Sequence, residues 1–265
     1  MAIKLLTPIS HLFENSINAK KISSLSDCLE ARERTHHLRF DNTTHYHIDF
    51  DINLGINEEQ KAFLKNNVAP REQITNITFQ ASRDCLRSVL MDGAYQKASR
   101  TLSLEEQLKN VKSIEKTLTD ILGTDRNLGF ENNNYYPTGA YEICTSVEFI
   151  NTVLETTNFH LLLDYAHAQV TSINLKINPD SYIQDILSTG QCRQIHFCSH
   201  SSSIKNEKIT AIDSHDKPDD KTIKSVINIA KKHKVEYLTV EYYKDPSILC
   251  DVLSNVFKAI NCNVQ

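Results

Sequence analysis

The sequence predicts an α/β protein of the (β/α)8 TIM-barrel class, and three observations carry that expectation. Short apolar runs alternate with amphipathic segments along the chain, the pattern of parallel strands joined by helices. The length of 265 residues is close to the roughly 250 typical of such a barrel. Acids and imidazoles fall where apolar runs stop, at the C-terminal strand ends where barrel sites are built. No repeat, low-complexity tract or linker divides the chain, so residues 1–265 read as a single domain with its site at that face. A doubly wound open sheet would need a glycine-rich phosphate turn after the first strand; the chain has 6 glycines and no such turn.

In chain order, Ile3 to Leu6 is a short first strand. Apolar Ile17, Ile22, Leu25 and Leu29 at helical spacing predict a helix across that stretch. HYHIDF sets His45, His47 and Asp49 against Tyr46, Ile48 and Phe50, a strict period of two and hence a strand with one polar face. Residues 58–66 read as a helix, Ile74 to Gln80 as a strand and Arg83 to Leu90 as a further helix. The clearest helix carries Leu104, Leu108, Val111, Leu118 and Leu122 on one face; Ser103 and Glu106 make a capping box and Gly123 the stop. NLGFE then ends on Glu131. Thr145 with Glu148 predicts another capping box, opening a helix to about Thr156. FHLLLD is a strand, Pro179 to Leu187 a helix and QIHFC a strand, and Ile209 to Ile212 is counted as the seventh strand. Asp219 and Asp220 open, and Lys231 and Lys232 close, a helix whose charges suit its dipole. VEYLTVEYY is the eighth strand and Pro246 starts the last helix.

Composition removes several function classes. A net charge of −4 speaks against a nucleic-acid binder, which would show a basic excess. No apolar run approaches the roughly 18 residues of a membrane span, and the N-terminus lacks a signal-peptide core, so a cytoplasmic protein is expected. Seven cysteines, an odd number without a C-x-x-C pair, read as reduced thiols rather than a disulfide frame or zinc knuckle. Cys192 and Cys198 flank His196 on strand residues of core type, and neither is expected to be catalytic.

The candidate site residues are imidazoles and carboxylates at strand ends: His47, Glu131, Asp164, His167, His196, Asp213, His215 and Glu241. Each has a bland alternative. Asp164 could be a helix N-cap with His167 a surface residue, and His196 a packed core histidine. Asp213 could be a turn aspartate, and Glu241 neutralised by Lys244. Glu131, if buried, must pair or ligate, because an isolated buried carboxylate is costly. A solvated surface would not synchronise these groups with successive strand ends, so together they predict a metal site. Mixed nitrogen and oxygen ligands suit iron, manganese or zinc, and bridging carboxylates allow two or three ions.

LLLDYAHAQVTSIN, QIHFCSHS and AIDSHDKP, taken with YHIDF, FENNNYY and TVEYY, resemble the domain-of-unknown-function 692 family. These are multinuclear non-haem iron oxidative enzymes of the methanobactin-biosynthesis type. The resemblance runs from about His47 to Glu241, and AIDSHDKP is its most specific piece. It implies a xylose-isomerase-like TIM barrel with two or three iron ions that uses dioxygen to modify a cysteine-containing precursor peptide, often with a small peptide-presenting partner protein. Carried over by motif, Glu131, Asp164, His196 and Glu241 hold the central iron and are catalytic. His47 holds a neighbouring iron with Glu131 as a possible bridge, and His167, Asp213 and His215 hold a third. Two departures stand out. His167 replaces an asparagine common in the family, and FQASRD, with Gln80, Ser82 and Asp84, lacks the usual third-strand histidine. The His47-side iron would then be poorly anchored, or held by Asp84, His45 or Asp49.

Two other readings compete. A hydrolase or isomerase like endonuclease IV and xylose isomerase shares the architecture and the Asp164/His167 and Asp213/His215 spacings; a binding protein on a degenerate barrel would fit if the missing histidine reflects lost chemistry. Metal content of protein purified without chelator separates the three: iron, zinc or none.

Overall fold

The computed structural model describes residues 2–205 and 208–261. Its strands and helices run β1 (Lys4–Pro8), α1 (Ser16–Ser23), β2 (Cys28–Arg32), β3 (Thr43–Asp51), α2 (Glu58–Phe63), β4 (Asn76–Gln80), β5 (Ser88–Met91), β6 (Ala94–Lys97), α3 (Leu104–Leu122), β7 (Asn127–Glu131), α4 (Val147–Thr156), β8 (His160–Asp164), α5 (Tyr165–Leu175), α6 (Pro179–Ile186), β9 (Cys192–Phe197), β10 (Ser199–Lys205), β11 (Lys208–Asp216), α7 (Asp220–His233), β12 (Tyr237–Val240) and α8 (Pro246–Asn261). Eight parallel strands close a barrel in the order β1, β2, β3, β4, β7, β8, β9, β12, with β12 pairing back onto β1. The fold is therefore a (β/α)8 barrel, as the sequence predicts.

Strand alternation builds two cores. On β3, Tyr46, Ile48 and Phe50 are buried outward against the helices, while His45 and His47 are buried on the inward face. The apolar stripe of α3 packs on the barrel through Val111, Ile114, Leu118 and Leu122. Its Ser103–Glu106 capping box forms, and Gly123 ends it at φ +90°, a conformation that favours glycine.

Four expectations are corrected. The helical spacing through Leu29 stops at Ser23, and Cys28–Arg32 is the second barrel strand. The hydroxyls of Ser24 and Ser26 donate back to the carbonyls of Lys21 and Ile22, and Asp27 accepts the N–H of Leu5, so the helix ends where pairing with β1 begins. Ile209 to Ile212 is no barrel strand; it belongs to β11, which pairs antiparallel with β10 as a separate hairpin. The stretch after Arg83 is not a helix but leads into the β5–β6 hairpin, whose Asp92-Gly93 turn has φ of +50° and +79°. The cap of α4 is Ser146, which accepts from the N–H of Phe149, rather than Thr145, whose hydroxyl donates to the Tyr141 carbonyl.

Candidate metal centre

The C-terminal ends of β7, β8 and β9 and the residue after β12 present Glu131, Asp164, His196 and Glu241. One ligand atom from each lies within 4.8 Å of all the others, and the four residues are buried. His196 Nδ1 is 3.4 Å from Glu131 Oε1 and 3.3 Å from Glu241 Oε1. That nitrogen and Asp164 Oδ2 are buried polar atoms without a hydrogen-bond partner. Orphaned lone pairs converging from an imidazole and a carboxylate fit a cation of the kind mixed nitrogen and oxygen sites bind.

Surrounding groups fix how those atoms point. His196 Nε2 lies 3.0 Å from Glu30 Oε2 on β2, so that Nδ1 is the ring nitrogen facing the cluster. Gln194 Nε2 donates to the same Glu30 oxygen at 2.6 Å and to Thr239 Oγ1 at 2.9 Å. Arg32 pairs with Glu30 at 2.7 Å and with Glu241, and Tyr243 donates its hydroxyl to Glu241 Oε1 at 2.9 Å. Asp164 Oδ1 accepts the N–H of His167 at 2.7 Å, so Asp164 is the N-cap of α5 while its other oxygen faces the site. The bland and the functional readings of Asp164 both hold geometrically.

His167 places Nδ1 2.8 Å from the Asn132 carbonyl, which directs Nε2 inward, 3.5 Å from Asp213 Oδ2 and 3.7 Å from Asp164 Oδ2. His215 comes from the β10–β11 hairpin. Its Nδ1 is 3.2 Å from Asp213 Oδ2 and its Nε2 3.6 Å from Glu241 Oε2. His215 sits at φ +45°, in the left-handed region, and its side chain lines the cavity at the barrel mouth. On the opposite side His47 Nε2 is 3.5 Å from Glu131 Oε2. All eight expected residues thus gather at one end of the barrel. Above them a cavity of about 640 Å³ is lined by Arg32, Gln80, Glu131, His167, Glu241 and Tyr243, among others.

Charges follow from this crowding. Burial pushes the Asp164 carboxyl up to about 8, helped by the charges of Glu131, Glu241 and Asp213 and opposed by His167. Burial would lower His196 and His167, yet the surrounding carboxylates raise both well above the ordinary imidazole range. Burial likewise opposes ionisation of Glu30 and Glu241, but Arg32 and His196 hold both well below the usual carboxylate range. The carboxylates need positive charge, and protons on imidazoles supply it where a metal ion does not.

Sequence reading passed over Glu30, Arg32 and Tyr243. Glu30 and Arg32 alternate at the end of CLEAR, the same signal that HYHIDF carries, but the supposed helix hid it. Of the alternatives to a third-strand histidine, Asp84 is buried away from the site, accepting the N–H groups of Ile143 and Cys144. The ring of His45 packs against that of Tyr237, with centroids 4.3 Å apart. Burial pushes the Cys198 thiol up, strengthened by the charges of Asp164 and Asp213, so it stays protonated.

No curated protein matches the sequence. Among solved structures, the chain is similar to the 3-keto-D-glucoside 4-epimerase YcjR from E. coli, with TM-score 0.62, 12% identity, and 97% and 99% of the two chains covered. It is similar to a xylose isomerase-like TIM barrel protein from Mycobacterium smegmatis in complex with magnesium, with TM-score 0.58, 9% identity, and 100% and 98% covered. It is also similar to endonuclease IV from Thermus thermophilus, with TM-score 0.58, 11% identity, and 97% and 98% covered. At these identities the likeness establishes the (β/α)8 barrel fold and nothing of the chemistry. A family model described as "RiPP precursor modification enzyme MbnB/TglH/ChrH" matches residues 101–257, more than half of the chain and all of β7 to β12 with their metal-binding types of side chain. The chain therefore belongs to the MbnB/TglH/ChrH family, enzymes that modify ribosomally made precursor peptides.

Proposed function

We propose that the protein is an iron-dependent, dioxygen-using oxidase that modifies cysteine residues of a ribosomally made precursor peptide. The observation that carries this reading is the buried quartet of Glu131, Asp164, His196 and Glu241, with unpartnered His196 Nδ1 and Asp164 Oδ2, beneath an open cavity. The quartet would hold one ion, and His167, Asp213 and His215 a neighbouring one. Iron bound there would supply redox electrons and would lower the pKa of a thiol that ligates it.

The chain's own residues prepare that chemistry. Glu30 engages His196 Nε2 and so aims Nδ1 at the cluster, where the ring would bind an ion as a neutral ligand after giving up a proton, without a rotamer change. Arg32 and the phenol of Tyr243 keep Glu241 ionised and oriented before any ion arrives. Asp164 must lose its proton to bind a metal, and its raised pKa ties uptake to proton release. Among the site residues, no serine or cysteine pairs with a histidine as a nucleophile, and the buried Cys198 thiol is held protonated, so the reacting sulfur is the peptide's. A cavity of about 640 Å³ has room for the cysteine-bearing part of a peptide. A small peptide-presenting partner protein would deliver that segment to the mouth.

The test is oxygen consumption by iron-loaded protein given the cysteine-containing peptide encoded beside it, with His196→Ala as control. Peptide-dependent consumption that falls by at least about 100-fold in the variant is expected, the scale for losing a group that orients reacting atoms. No consumption with any such peptide, together with cleavage of abasic DNA by zinc-loaded protein, would replace this reading with an endonuclease-like one.

A further inference from the structure

We infer that Gln80 takes the place of a metal ion on the His47 side of the site, so that Glu131 is a ligand to the central ion alone rather than a bridge. The inference rests on the metal-site reading above. Gln80 ends β4, between His47 on β3 and Glu131 on β7. Its side-chain nitrogen is 2.9 Å from His47 Nε2 and 2.7 Å from Glu131 Oε2. A primary amide nitrogen carries two N–H donors and no lone pair for a metal. Those donors point at the two atoms that would otherwise have to hold an ion.

The orientation of the amide follows from its neighbours. Turned over, its carbonyl oxygen would face a carboxylate oxygen at 2.7 Å, acceptor against acceptor; as placed, it donates. The two sides of Glu131 then differ in kind. Its Oε1 faces His196 Nδ1, a buried atom without a hydrogen-bond partner. Its Oε2 faces an amide that also satisfies His47, and the other nitrogen of His47 lies 2.9 Å from Thr78 Oγ1. Both nitrogens of His47 are thus occupied within the protein, whereas in the central cluster His196 Nδ1 and Asp164 Oδ2 have no hydrogen-bond partner. Asp49, the other acid within 4.0 Å of His47 among the described residues, keeps Oδ1 4.0 Å from His47 Nε2 and turns Oδ2 toward Arg34 at 3.4 Å. An amide that bridges an imidazole and a carboxylate gives the same cross-link as an ion would, without the charge.

The experiment counts iron per chain by elemental analysis. Protein loaded with excess ferrous iron and desalted without chelator is compared with Asp164→Ala, His47→Ala and Gln80→Glu, each checked for folding by circular dichroism. Gln80→Glu keeps the shape but sets a second carboxylate beside Glu131, which only a proton or a cation can relieve. We expect His47→Ala to keep the wild-type count and Gln80→Glu to gain about one ion per chain. A loss of about one ion in His47→Ala, or an unchanged count in Gln80→Glu, overturns the inference. Should His47→Ala not fold, His47→Gln, which retains hydrogen-bonding capacity toward Gln80, is counted in its place. Asp164→Ala tests the underlying reading separately: if it retains the wild-type count, the central site is wrong and this inference falls with it.

Discussion

Two pairs of buried histidines contrast the two ends of the barrel. Near the N-terminal strand ends, His160 and His45 are 6% and 1% exposed; near the C-terminal ends, His167 and His196 are 8% and 0% exposed. Burial by itself disfavours the imidazolium in all four. At the lower end nothing adequate opposes it: burial pushes His160 down to about 3, with Arg193 and His45 adding to the fall. His45 is pushed down to about 4 by burial, Glu30 being outweighed once His196, Arg193 and Lys4 act. At the upper end the carboxylates win, and both rings are raised. Equal burial with opposite shifts means that neighbours, not depth, separate these two pairs.

The largest test of that contrast is Glu30→Gln, which removes the carboxylate engaging His196 Nε2 while keeping its shape. Metal affinity should fall by about 10–100-fold, the usual scale for losing such an outer hydrogen bond to a ligating histidine. Titration with ferrous iron against a competing chelator measures it. Unaltered affinity would mean that burial alone positions His196, and the contrast between the two ends would collapse.

A smaller effect tests the packing face. His160 is neutral in the fold, with a pKa depressed to about 3, but takes up a proton once unfolded, near 6.5. The unfolded state therefore binds more protons between about pH 6.5 and 3, so this histidine's contribution to stability is present above that window and lost as the pH falls through it. Each such group steepens acid destabilisation by at most roughly 1.4 kcal/mol per pH unit. His160→Gln should flatten the dependence of urea midpoints on pH in this window and leave metal content unchanged. The ring also sits where the strand beside it has no side chain: a Cβ on Gly129 would fall 2.5 Å from His160 Nε2. An unchanged slope would show that His160 is not buried neutral.

How legible the molecule is in its sequence follows the same division. The barrel class is legible because alternation of apolar runs and helices is a whole-chain property that survives local errors. Two such errors offset each other in the strand count. Ile209 to Ile212 enters the count although it forms part of a hairpin, and Cys28–Arg32 is lost to a helical spacing that serine and aspartate side chains interrupt. The second error also hides Glu30 and Arg32, which contact His196 and Glu241. Residues at strand ends with ligand chemistry can be found by position. Those that orient them cannot, because their roles depend on which strands become neighbours, and β2 meets β9 residues only across the closed barrel. Gln80 illustrates the limit: the sequence registers it as a missing histidine, and only its 2.9 and 2.7 Å contacts give it a role of its own.

The smallest expected effect sharpens how the upper face holds its charge. Glu241 Oε1 accepts hydrogen bonds from Arg32 and from the Tyr243 hydroxyl at 2.9 Å, and the His196 ring lies beside it with Nδ1 at 3.3 Å. Burial favours the protonated acid, and His196 together with Arg32 overcomes it, leaving Glu241 well below the ordinary carboxylate range. Tyr243 adds only a neutral hydrogen bond, and burial raises the phenol's own pKa, so it remains a donor. Tyr243→Phe removes one such bond from a carboxylate that keeps its guanidinium, a loss of roughly 0.5–1.5 kcal/mol. Iron affinity should then fall by no more than about tenfold at pH 7, less than in Glu30→Gln, since about 1.4 kcal/mol corresponds to a factor of ten. The same chelator titration reads it. A drop larger than that of Glu30→Gln would mean that the phenol, rather than the charged pair of Arg32 and His196, sets Glu241, and that the upper face depends on hydrogen bonding where charge has been assigned the main part.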